Sequence, residues 1–294
     1  MTRLKEFRNN LKNMVKQLVT LDQLLAIATV AKTYELTIPD IIEGGIGFID
    51  GQNLILARDL KNFPEKKIQL INYSVGSPKS TCITPSRNTV LLTGANSGGK
   101  TTLLTTMAEI HILTLLGLPV PAKKAEVTPI PIYLFRKRTT RKIGSLENAL
   151  SSLIPVFTER KKKIILIDEI EALTEPGAAG RIIATLLTKS ASGGSFLLLI
   201  THLARETIPH VRLPIRVDGI EAKGLNVRGD LDVNRQPKFN HVGSSTPKLI
   251  LMKLARETKH TKTKELYDEV LASLENQSGN PMQTPITLPW SKEK

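Results

Sequence analysis

The sequence predicts an α/β fold, a parallel sheet with helices on its faces. Three stretches predict it. Val90–Leu92 is a short β-prone run, followed by GANSGGKT at 94–101 and then by a helix-compatible run from Thr102 to about Leu116. KKKIILIDEIEA, residues 161–172, is an apolar run that ends in two acids. SFLLLITH, residues 195–202, is another with a polar end. Between Val90 and about Val217 such runs alternate with helical patterns, as in parallel sheets with crossover helices.

The first stretch fits G-x-x-x-x-G-K-[ST]. Gly94, Ala95, Asn96, Ser97, Gly98, Gly99, Lys100, Thr101 and Thr102 are the expected nucleotide-binding set. The glycines let backbone N–H groups curl round a phosphate with no Cβ in the way. Lys100 would reach the β- and γ-phosphates, and the Thr101 hydroxyl would ligate Mg²⁺. The helix that follows turns its positive N-terminal end to the same anion.

In the second stretch, Asp168 stands at a strand tip, where a carboxylate can hold the Mg²⁺ shell. Glu169, the next residue, points to the other side of the chain and can polarise a water for in-line attack on a γ-phosphate. In the third, His202 ends a strand on the side where open α/β sheets bind ligands. It reads either as a γ-phosphate sensor or as a structural histidine. The expected catalytic set is Glu169, His202 and Lys100, the expected metal ligands are Thr101 and Asp168, and the expected cofactors are ATP and Mg²⁺.

The remaining elements follow in chain order. Leu4, Phe7, Leu11, Met14, Leu18, Leu21, Leu25 and Ala28 recur at 3-4 spacing with no Gly or Pro among them. That predicts a long helix over 1–34. Its stripe packs either on another helix, as in a coiled coil, or on its own domain. Gly44, Gly45, Gly47 and Gly51 punctuate short strands in a β-rich lead-in at 35–89. The ATPase domain is expected over 35–222 and a basic helical extension over 223–294. That extension holds amphipathic helix signals between Pro247 and Asn276 and has a flexible end.

Composition bounds the partners. The 294 residues are 40% apolar, enough for a core, and carry one cysteine, so no internal disulfide forms and Cys82 reads as a small filler. The apolar strand runs are too short to cross a bilayer, and the first ten residues hold no signal-peptide core. A cytoplasmic protein is expected. The net charge of +14 favours a polyanion, nucleic acid first, and the 4% aromatic content favours phosphate contact over base stacking. The basic runs are Arg136–Lys142, Glu159–Lys163 and the tail after Arg235. Each reads alone as a solvated face or as a phosphate-binding patch.

With these elements in place, the chain resembles the ATPase domain of the MutS family, the DNA mismatch-repair and recombination-control ATPases. TGANSGGKTTLL looks like the family's TGPN-x-GGK-[ST] loop, with Ala95 in place of its Pro. Asn96 matches the Asn that helps cradle the γ-phosphate. LGLPVPAKKAEV resembles the G-x-x-VPA segment, DEIEALTEPGAAG the dimer-facing loop, and ITHL the strand-end TH. KIGSLENALSSL resembles the signature region, which makes Ser151 the residue that faces the nucleotide of the other subunit. The likeness covers about residues 18–220 and is closest in spelling to archaeal or recombination-type branches.

The resemblance implies a P-loop NTPase of ABC/MutS type that works as a dimer with composite nucleotide sites on DNA. The long helix would be the lower part of a lever. The family's N-terminal mismatch-reading domain is not represented, so the chain is expected to be a shortened form, a piece of a split protein, or an ATPase whose missing clamp or lever parts lie on a partner chain. Two other readings stay open: an ATP-switched partner-binding module with little turnover, and another ABC-class ATPase, although the LSGGQ signature of that class is absent.

Overall fold

The computed structural model describes residues 2–60, 68–95, 98–136, 145–170, 175–225, 231–243, 247–258, 260–276 and 290. Two sheets organise it. The lead-in sheet holds β1 (Asp40–Ile41), β2 (Gly45–Gly51), β3 (Ile71–Gly76) and β5 (Lys124–Val127), in the order β1-β5-β2-β3. The main sheet holds β4 (Thr89–Gly94), β6 (Ile132–Phe135), β7 (Ile164–Asp168), β8 (Phe196–Ile200), β9 (Arg216–Leu225) and β10 (Leu231–Lys238). Its order is β10-β9-β4-β8-β7-β6, and only β10 runs antiparallel to its neighbour.

Strand alternation places the core on both faces of the main sheet. Val90, Leu92, Ile164, Leu166, Leu198 and Ile200 face one apolar cluster, shared with the lead-in sheet and with α3 (Lys100–Leu115). Leu91, Ile165, Ile167, Leu197 and Leu199 face a second, under α4 (Ser145–Thr158) and α5 (Pro176–Gly193). A strand covered on both faces reads as a continuous apolar run, and IILI and FLLLI do.

Three expectations are revised. The extension was expected to begin at 223, but β9 runs to Leu225 and β10 pairs back on it, so the sheet reaches Lys238. The polar spelling DVNRQPK hides a strand that lies at the sheet edge, where one face meets solvent. The helices α7 (Pro247–Glu257) and α8 (Thr261–Asn276) come after it. Cys82 is exposed in the loop after β3, not a filler. Lys163, counted in a basic run, is 1% exposed: its ammonium donates to the Val156 and Glu159 carbonyls and to the Glu159 carboxylate, closing the end of α4.

The helix α1 (Thr2–Tyr34) spans the whole expected length, and its seam does not lie on its own domain. Leu4, Phe7, Leu11, Met14, Leu18, Leu21 and Leu25 are 52% to 76% exposed. By length and composition the helix also suffices to cross a bilayer, with an 18-residue window of mean hydropathy 1.3. Lys5, Lys12, Lys16 and Asp22 interrupt that apolar surface.

Candidate nucleotide site

The loop after β4 is held open by backbone geometry that only glycine meets. Gly94 has φ 115°, and a Cβ there would lie 2.0 Å from the Ile220 carbonyl oxygen of β9. Gly99 has φ 93° and starts α3 in the left-handed conformation. Ala95 is buried, its N–H bonds the Ile220 carbonyl, and its own carbonyl accepts from Gly98 N. Lys100 is buried and its ammonium spans the loop, donating to the Gly94 and Ala95 carbonyls at 2.8 Å each. Asn96 and Ser97 lie outside the described residues.

β7 brings Asp168 to this loop. By strand alternation Asp168 shares the face of Leu166, which packs towards α3. The Thr101 hydroxyl donates to its carboxylate at 3.0 and 3.3 Å. Burial pushes the Asp168 carboxyl above its ordinary value, and the neighbouring Glu169 charge adds to that. The Thr101 hydroxyl, Arg136 and Lys100 pull it back.

Glu169 reaches the site by a route that strand alternation does not supply. It lies one residue past the end of β7 with φ 46°, a conformation uncommon for a residue with a Cβ. Its carboxylate lines the same cleft as Gly98, Gly99 and Thr101. Its Oε1 stands 2.6 Å from His202 Nε2, just beyond the end of β8. The expected catalytic pair is therefore one hydrogen-bonded unit. Ser151 sits apart, on the exposed side of α4, and is not among the residues that line the cleft.

The cleft has a volume of about 610 Å³, within the usual range for small-molecule sites. Its polar end is the loop, Thr101, Thr102 and Glu169. Its other end is apolar: Leu56 and Leu60 of α2 (Leu54–Leu60), with Ile68 and Ile71. Gln52, Asn53, Gln69 and Arg235 complete the wall. Sequence reasoning missed all of these. Asn53 caps α2 through Leu56 N and donates to Glu109 of α3, whose carboxylate also accepts from Leu54 N. That fixes α2 on the loop's own helix.

The donor set suits a hard cation shared with a ligand. Thr101 and Asp168 present oxygens at one point, and among the described residues no group of three or more His, Cys, Asp or Glu could hold a metal by itself. Mg²⁺ is typically held in this way, by one or two protein oxygens together with phosphate oxygens.

Residues 90–225 match the model of the AAA family, ATPases associated with various cellular activities. The chain is 44% identical over 230 residues to the DNA-binding protein MutS2 of Pyrococcus furiosus, a match that covers 76% of this chain and 39% of that protein. It is 25% identical over 310 residues to the DNA mismatch repair protein MutS of Bacillus subtilis, covering 99% and 33%. The chain carries a MutS-family ATPase domain. A third MutS-type relative, the Endonuclease MutS2 of Clostridium kluyveri, is 27% identical over 119 residues, 38% of this chain and 15% of that protein. The chain thus spans well under half the length of the MutS-type relatives it matches. Its higher identity to the MutS2 of Pyrococcus furiosus agrees with the spelling of its loop, TGANSGGK.

Proposed function

We propose that this chain is an ATP-hydrolysing, DNA-associated protein of MutS type, in mismatch repair or recombination control, that acts as a dimer with composite nucleotide sites. The observation that carries the catalytic half is the convergence of Thr101–Asp168 and Glu169–His202 on one glycine-lined cleft. The cleft's polarity matches a nucleoside triphosphate, with an anion-binding loop at one end and apolar walls at the other.

Each residue then has a role. The loop amides, Lys100 and the start of α3 bind the β- and γ-phosphates. Thr101 and Asp168 hold Mg²⁺, which when bound neutralises charge on the phosphate oxygens. Glu169 accepts a hydrogen bond from the attacking water and aligns it. His202 Nε2–H, donating to one Glu169 oxygen, fixes the carboxylate. Ser151, exposed on α4 and remote from its own cleft, is available to the cleft of a second copy.

Three features support DNA as the partner: the net charge of +14, the exposed Arg160, Lys161 and Lys162, and the similarity to a DNA-binding protein MutS2 and a DNA mismatch repair protein MutS. The chain works in the cytoplasm, at the nucleoid. The test is steady-state ATP hydrolysis across protein concentration, with and without duplex or branched DNA. Turnover per chain that rises with concentration, changes with DNA and disappears in Glu169→Gln, while ATP still binds, is the expected result. ATP binding without turnover under every condition would instead favour an ATP-switched partner-binding module.

A further inference from the structure

The cleft lies between two units that share no backbone ladder. Gln52, Asn53, Ile68, Gln69 and Ile71 belong to the lead-in; the loop and Arg235 belong to the main sheet. β3 and β10 are edge strands of different sheets. Side-chain amides bridge them. Asn72 N donates to Gln236 Oε1 at 2.9 Å, and Gln236 Nε2 returns a bond to the Asn72 carbonyl at 2.9 Å. One glutamine thus imitates the paired bonds of an antiparallel ladder. Beside it, Gln69 Nε2 donates to Asn234 Oδ1 at 2.6 Å, and Arg235 N donates to Gln69 Oε1 at 2.9 Å.

We propose that these paired amides form a clasp that sets the cleft's grip on the nucleoside half of its ligand, and that Asn234 and Gln236 are positioning residues for it. The inference rests on the nucleotide reading above. Asn234 and Gln236 do not line the cleft, whereas Arg235 between them does. In a stretch of β10 whose register on β9 is irregular, 234 and 236 reach the lead-in and 235 turns to the loop. The Arg235 stem passes over Gly99, its Cδ 3.5 Å from where a Cβ would stand. The clasp therefore fixes the spacing between the Arg235 wall and the Ile68–Ile71 wall. Thr101 stands on α3, Asp168 and Glu169 at the end of β7 and His202 just past β8, and among the described residues none of them bonds to the clasp. Loosening the clasp weakens the nucleoside contacts and leaves the phosphate contacts in place.

The experiment compares the full chain with Gln236→Ala and Asn234→Ala. It measures KM and kcat for ATP hydrolysis, and equilibrium binding of ATP and of inorganic tripolyphosphate. KM and the ATP dissociation constant should rise about five- to tenfold, the loss of one or two hydrogen bonds. kcat should stay within about twofold, the signature of a binding contact equal in ground and transition states. Tripolyphosphate affinity should not move. Gln236→Glu, which keeps the acceptor for Asn72 N, should recover part of the loss. Unchanged ATP affinity in both alanine variants, or tripolyphosphate affinity falling in parallel, overturns the clasp. A wild-type chain that binds neither ligand overturns the nucleotide reading and the clasp with it.

Discussion

Beneath the clasp lies a buried ionic tie, and removing one partner should destabilise the whole chain. Arg216 and Asp218 of β9 are both 0% exposed. Arg216 Nε donates to the Asp218 carboxylate at 2.9 and 3.1 Å, and the Arg216 guanidinium also reaches the Ser74 carbonyl of β3. Asp218 further accepts from Tyr73 OH at 2.8 Å and from Asn240 N at 3.2 Å. Asp218→Ala leaves a buried guanidinium with no counter-charge, which costs about 3–5 kcal/mol. Tyr73 OH also loses its acceptor, a loss of about 1–3 kcal/mol that is not additive with the first. A net loss of about 4 kcal/mol lowers the melting midpoint by roughly 8–16 °C for a chain of this size. The paired change Arg216→Met with Asp218→Leu removes both charges and should cost less than the single change. Thermal and urea unfolding of the three proteins check this. An Asp218→Ala chain within about 1 kcal/mol of wild type, or a double variant less stable than the single, would refute the reasoning.

Three other outcomes are expected. Burial alone would push the Glu126 carboxyl up, but the hydroxyls and N–H groups of Ser80 and Thr81 outweigh it and hold it at about 2, down from 4.5. A depressed carboxylate stabilises above the unfolded value and loses that stability as pH falls through the folded one. Its roughly 3 kcal/mol is thus intact at pH 7 and lowered by about 2 kcal/mol at pH 3, a loss that urea midpoints should show in wild type and not in Glu126→Gln. Gly94→Ala forces a Cβ to 2.0 Å from the Ile220 carbonyl at a φ of 115°, so ATP binding should be lost and the melting midpoint should fall; calorimetric titration that returns wild-type affinity contradicts the account of the loop. DNA affinity should drop steeply with salt and show little sequence preference, and Lys161→Ala with Lys162→Ala should reduce the log–log salt slope by about 2, whereas salt-insensitive binding removes phosphate contact as its basis.

The loop end of the cleft was legible because its signals are local. A strand, a glycine loop and a helix are contiguous from Thr89 to Leu115, and Asp168 and His202 each sit at the end of a run of apolar residues. The nucleoside end was not legible, because nothing local marks it. Gln69 and Arg235 are 166 residues apart and meet only after both sheets form. β10 was missed for a related reason: an edge strand shares one face with water, so its spelling carries no apolar run. Glu169 was expected to face away from Asp168, and the structure gives it a different geometry. Alternation sends it away from Asp168, and the left-handed backbone at φ 46° brings it to His202 instead.

The same division bears on how the long helix and the site are joined. α1 ends at Tyr34, and the Tyr34 carbonyl accepts from Gln52 Nε2 at 3.1 Å. Gln52 lines the cleft, and its own N–H bonds the Pro121 carbonyl in the segment that leads into β5. The last turn of a helix some 50 Å long is thus one side chain from the nucleoside end, on the lead-in side of the joint. The glycine loop, Asp168, Glu169 and His202 stand on the opposite side, at the ends of β4, β7 and β8. A ligand that bridges the cleft must contact both units, and a change in their spacing reaches α1 through Gln52 without passing through the catalytic residues. Backbone ladders would make such a joint stiff. The joint is instead made by side chains: two amide pairs, one buried ion pair, the Asn53–Glu109 bond and the apolar cluster that both sheets share, so packing sets the spacing of the two units.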